Sequence, residues 1–154
     1  MTNAATLLIF HSYYRWVVLM ALLTQLPWLL FHAKKGSIFS KEHFFILIAY
    51  TLLYDIQLII GWLLYLNSPL VDAFLKDVGT GVKNRQLRFF GLEHVSMMSL
   101  AILLINIATL RVRRKVGSVG IFKSLVKWYL CISLIILTSI PWSSSPLTSR
   151  PNFR

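Results

Sequence analysis

Acidic residues are scarce in this chain. Five Asp and Glu stand against sixteen Lys and Arg in 154 residues, and only 14% of residues are charged. A water-soluble domain keeps roughly a quarter of its residues charged, so this composition argues against one. Cysteine is nearly absent too. The lone Cys131 lies in an apolar run, which excludes an internal disulfide and favours a small buried hydrophobe. No Cys-x-x-Cys-His segment exists, which excludes covalent c-type haem attachment. A Gly-rich phosphate loop, a nucleophile elbow and a metalloprotease helix are also missing, and Gly79-Thr80-Gly81 is too short to be a nucleotide motif. No Lys or Arg precedes the first apolar run and no small-residue cleavage site follows it, so that run is expected to be retained.

What the chain has instead is apolar length. Hydrophobic residues make up 56% of it, the mean hydropathy is +0.67, and the charges fall in clusters between long uncharged stretches. The expected fold is all-α, an integral membrane four-helix bundle forming a single transmembrane domain over 1–154. Spans are predicted at about 6–31, 43–66, 88–110 and 121–142, each near the twenty residues a bilayer needs, with a tail at 143–154. Pro27 predicts a kink late in the first span. The connection 68–87 is the longest. Its stretch 71–78 predicts a short interfacial helix with Val71, Phe74, Leu75 and Val78 on one face.

The net charge of +11 would suggest nucleic acid in a soluble protein. Here the cations sit at span ends, where they meet lipid headgroups, so no nucleic-acid partner is expected. Lys34, Lys35, Lys41, Arg111, Arg113, Arg114, Lys115, Lys123 and Lys127 fall on one side. Lys76, Lys83, Arg85, Arg88, Arg150 and Arg154 fall on the other. That bias predicts both termini outside, in the bacterial inner membrane as a multi-pass protein. Trp28, Trp62, Trp128 and Trp142 lie in the end thirds of spans, as interfacial aromatics do.

Ionisable groups inside spans are costly and mark functional positions. They are His11 and Arg15 in the first span, Asp55 in the second, and Glu93 and His94 in the third. At 1.5 Å per residue, His11 and His94 both lie roughly 10 Å below the outer surface, while Arg15 and Asp55 lie deeper, about eleven or twelve residues in. The first layer predicts a site; the second predicts a buried Arg15–Asp55 pair. Gly91, His94, Met98, Ala101 and Ala108 share a helical stripe, as do Tyr54, Gln57 and Gly61, and small residues admit a neighbouring helix or a flat ligand.

Two histidines at one depth on separate helices suit a b-type haem, with His11 and His94 as axial ligands to the iron and glycines such as Gly61 and Gly91 leaving a slot. Arg88, Lys83 or Arg85 would meet the propionates, and Glu93 would orient an imidazole or a helix. A closed zinc or copper site is disfavoured because about four ligands are needed. The same polar residues equally serve interhelical hydrogen bonding, and a proton relay through His11, Glu93, Arg15 and Asp55 is a third alternative. His32 and His43 are expected at the opposite interface.

The segments His11-Ser12-Tyr13-Tyr14-Arg15-Trp16, Gln57-Leu58-Ile59-Ile60-Gly61, Arg88-Phe89-Phe90-Gly91-Leu92-Glu93-His94-Val95-Ser96-Met97-Met98 and Ile140-Pro141-Trp142 resemble a family of small four-span bacterial membrane proteins, common in the Bacteroidetes and labelled cytochrome b-like. The resemblance covers nearly the whole chain and implies haem carried between helices. The chain departs from the pattern at Asp55 and near Ala108, where family members often carry histidine. The function expected is a haem-binding electron carrier drawing on quinol or a partner protein, more a carrier or subunit than a stand-alone enzyme. The alternative is a cofactor-free accessory subunit packed against other membrane subunits.

Overall fold

The structure is a computed structural model that describes residues 4–142; the expected tail at 143–154 lies outside the described residues. Every regular element among them is helical. Four helices are long and apolar enough to cross a membrane: α1 (Ala4–Lys35), α2 (Lys41–Leu66), the continuous helical stretch Arg85–Lys115, and α7 (Ile121–Ser139). Between the second and third come α3 (Pro69–Lys76) and α4 (Val78–Gly81). The third begins with α5 (Arg85–Arg88), passes through a π-helical turn at Phe89–Glu93, and continues as α6 (His94–Val112) into a 3-10 turn at Arg113–Lys115.

α1 packs on α2 and α7, and α6 packs on the same two. The order around the bundle is therefore α1, α2, α6, α7, with α1 and α6 on the diagonal. Large apolar side chains such as Leu23, Phe31, Phe45, Leu63, Leu103 and Leu134 are exposed on the outside. An apolar exterior around an apolar core is what a lipid solvent permits and water does not.

Helix ends are fixed locally. Ser40 caps α2: its Oγ accepts from the His43 backbone N–H at 3.4 Å, and the Ser40 N–H donates to His43 Nδ1 at 3.0 Å, a capping box with histidine in the usual Glu position. That cap gives His43 a local task. His32 lies against it with ring centroids 4.5 Å apart and stacks on Phe122 at 4.8 Å. The two loops at this end are joined, Phe39 N–H to the Ser118 carbonyl at 3.0 Å and Gly117 N–H to the Phe39 carbonyl at 2.7 Å. Gly117 has φ 88°, a left-handed conformation that a side chain would strain.

Pro27 sits within α1, which remains one helix through it. The short helix of the long connection starts and ends two residues earlier than expected, and its face is narrower. Val71 and Phe74 are buried, whereas Leu75 and Val78 are 57% and 48% exposed. Eight residues make only two turns, so one stripe of two side chains is all that reaches the bundle.

Candidate functional site

A cavity of about 440 Å³ opens between the helices in the half of the bundle that holds the N-terminus and the 67–84 connection. Its mouth is formed by Ala4, Ser68, Pro69 and Leu70. Leu8, Val95, Met98 and Ile136 supply apolar wall, and His11, Arg15, Tyr54, Gln57 and His94 supply the polar groups. A volume within the usual ligand-pocket range, with mostly apolar lining and few convergent polar groups, is the form a small-molecule site takes.

The two histidines approach across the bundle diagonal. His11 on α1 and His94 on α6 have ring centroids 6.2 Å apart and planes at 86°. Each is held differently. His94 Nδ1 lies 2.7 Å from the Ser139 carbonyl at the end of α7. A carbonyl only accepts, so Nδ1 carries the hydrogen and Nε2 keeps its lone pair. Ser139 has this carbonyl to offer because α7 stops there: Ile140 is extended and Pro141 follows. His11 instead lies against α2. A Cβ on Gly61 would stand 3.1 Å from His11 Cε1, so the glycine makes room for an imidazole. His11 Nδ1 is buried with no hydrogen-bond partner among the described residues, as is Gln57 Oε1, while Gln57 Nε2 donates to the His11 carbonyl at 3.1 Å.

The π-helical turn immediately before His94 was not visible in the hydrophobic period. Such turns add a residue to a helix, shift the faces on either side, and occur often at functional sites. Here the Tyr65 hydroxyl of α2 donates to the Gly91 carbonyl of this turn at 2.9 Å, and the Phe89 ring stacks on His94 at 5.7 Å.

Several expected site residues lie elsewhere. Gly91 does not line the cavity; the ring of Phe74 fills the space beside it. Arg88 and Glu93 are also outside the lining. They pair with each other, Arg88 Nε donating to Glu93 Oε1 at 2.6 Å, and Arg88 also donates to the Val82 carbonyl. The 67–88 connection folds back on the third helix and draws both into its own packing. Arg88 pairs with Glu93, and Lys76 pairs with Asp72. Asp55 accepts from Asn106 Nδ2 of α6 at 2.7 Å, and the Arg15 guanidinium stands 5.6 Å from the Trp16 ring centre. Asp55 faces α6, the neighbour of α2 on the side away from α1, so an amide on that neighbour takes the carboxylate.

Two imidazoles can hold a metal only with other donors. Among the described residues no group of three or more His, Cys, Asp or Glu converges. A haem iron is different, since the porphyrin supplies four of its donors and the protein two. His11 and His94 both line the cavity and His94 keeps a free Nε2, so this pair would supply the protein's donors to such an iron.

No family model, no curated protein and no solved structure matches this chain.

Proposed function

We propose that the protein is a small membrane electron carrier that holds a b-type haem between His11 and His94. The observation that carries this reading is the meeting of two imidazoles from diagonal helices beside an apolar cavity. His11 and His94 would hold the haem, which would supply one-electron transfer there. The chain's own part is to hold and shield. The Ser139 carbonyl fixes the His94 ring and its tautomer, as outer partners of ligating histidines do. Gly61 seats His11 against α2. Leu8, Val95, Met98 and Ile136 give the cavity an apolar wall, and quinol or a partner protein would exchange the electron. Lys34, Lys35 and Lys41 around the first loop and Arg113, Arg114 and Lys115 in the third would face the cytoplasm of a bacterial inner membrane, with both termini outside.

The test is an absorption spectrum, oxidised and then reduced, of protein made with ample haem supply. A Soret band that shifts on reduction is expected in the wild type, lost in His11→Ala/His94→Ala. A wild-type protein without the band refutes the reading.

One set of contacts favours a second reading, a cofactor-free subunit of a larger membrane assembly. Thr51–Thr109, Asp55–Asn106 and Trp62–Ser99 all link α2 to the third helix, and Phe74 fills the Gly91 slot. Polar residues used in this way are interhelical adhesive. Stoichiometric partners co-purifying with a colourless protein would favour it.

A further inference from the structure

Gln57 of α2 reaches His11 of α1 inside the bundle, and both line the cavity. The Gln57 amide bonds the His11 carbonyl at 3.1 Å. A carbonyl only accepts, so the end that meets it is Nε2, and Oε1 is the end left over. Oε1 is buried and makes no hydrogen bond among the described residues, and neither does His11 Nδ1. The two atoms share one patch. Gln57 and Gly61 are four residues apart on α2 and lie on one face of it. A Cβ on Gly61 would stand 3.6 Å from His11 Nδ1 and 3.1 Å from Cε1, so this edge of the ring is the one turned to α2.

Their needs are complementary. An amide oxygen accepts and never donates. An imidazole nitrogen donates or accepts according to the tautomer, which its surroundings decide. A buried polar atom without a partner is costly, and a span surrounded by lipid has few other partners to offer. We infer that Gln57 is a positioning residue for His11: its Oε1 accepts from Nδ1–H and so holds His11 in the tautomer whose Nε2 carries a lone pair. The terminal amide torsion of glutamine is broad, so side-chain rotation alone closes the bond. His94 already has this arrangement, with the Ser139 carbonyl as its acceptor. Gln57 makes the pair alike. Each imidazole is held through Nδ1 from a neighbouring helix, and each offers the lone pair of Nε2. The use of both lone pairs on one iron rests on the haem reading; the tautomer of His11 does not.

Nitrogen-15 NMR of the haem-free, histidine-labelled protein in nanodiscs reads the tautomer directly, at a pH high enough to keep the rings neutral. A neutral histidine side chain in water carries its hydrogen mainly on Nε2, so Nδ1–H at His11 is a signature that packing alone does not produce. The His11 signals are identified by their loss in His11→Asn. The wild type is expected to show Nδ1–H. Gln57→Leu and Gln57→Met keep a bulk near that of glutamine and lack the acceptor, and in both the Nδ1–H form should fall to a minority. Nε2–H at His11 in the wild type overturns the inference, and is the result expected if Oε1 instead serves a donor on a molecule in the cavity. Nδ1–H unchanged in a folded variant overturns the assignment of Gln57. Should neither variant fold, the wild-type tautomer decides alone. A wild-type protein without a Soret band leaves the tautomer result standing, so the two readings fail separately.

Discussion

Gly91 and Gly79 lie twelve positions apart in the same connection-to-helix region and carry opposite consequences. A methyl group at Gly91 would overlap the ring and Cβ of Phe74, which is itself packed into the bundle. At Gly79 the nearest atom is the Asp77 carboxylate at 3.5 Å, an ordinary contact. Gly91→Ala is therefore expected to destabilise by about 1–3 kcal/mol, the usual cost of overpacking a filled site. Gly79→Ala should be neutral or stabilising by up to about 1 kcal/mol, since alanine loses less backbone freedom in a helix. Thermal unfolding in detergent distinguishes them; equal midpoints would show that Phe74 does not pin α3 to the third helix. The glycine stripe was legible in the sequence, but its occupant was not. Small residues announce a close approach without saying what approaches, and Phe74 arrives from a connection whose path back over the bundle leaves no mark in the periodicity.

The elements differ in how far local rules decide them. Asp77 shows a local rule at full strength. Its Oδ1 accepts from the Thr80 backbone N–H at 3.0 Å and so starts α4. This bond is the main reason the Asp77 carboxyl sits below the ordinary aspartate range. A depressed folded value means the cap is present above the unfolded value and is lost as pH falls through the folded one. The Thr80 amide should lose exchange protection only well into acid, below about pH 4. Asp77→Asn should keep protection with no such acid loss, and Asp77→Ala should lack it throughout. NMR hydrogen exchange in micelles reads all three; an acid transition that persists in Asp77→Asn would sink the assignment. The four long helices were equally legible, because apolar length is a local property. The π-helical turn at Phe89–Glu93 was not. It depends on the Tyr65 bond to the Gly91 carbonyl and on Phe74 beside it, contacts made by residues far along the chain. The partner of Asp55 was hidden for the same reason: depth could be counted along each helix, but the neighbours around the bundle could not.

At the scale of the whole molecule, charge and cavity lie at opposite ends. Lys34, Lys35 and Lys41 beside the first loop and Arg113, Arg114 and Lys115 in the third lie at one end, and the cavity lies toward the other. With the basic end cytoplasmic, a cysteine at Asn84 should be labelled by a membrane-impermeant maleimide from outside intact cells. One at Ser118 should react only after the membrane is opened. Both are made in a Cys131→Ser background, since Cys131 is exposed on the bundle surface. Reversed accessibility would invert the proposed orientation without disturbing the fold. The site itself was legible to the extent that depth is a one-dimensional quantity. Counting residues placed His11 and His94 in the same layer, and the diagonal arrangement of α1 and α6 then decides that their rings meet.

The joined loops at the basic end carry one more consequence. Phe39 exchanges backbone hydrogen bonds with Gly117 and Ser118, and so ties the hairpin of α1 and α2 to the hairpin of α6 and α7. The hairpins are thus connected twice, once by the chain through 67–84 and once by this clasp. Register between the halves does not depend on covalent continuity alone.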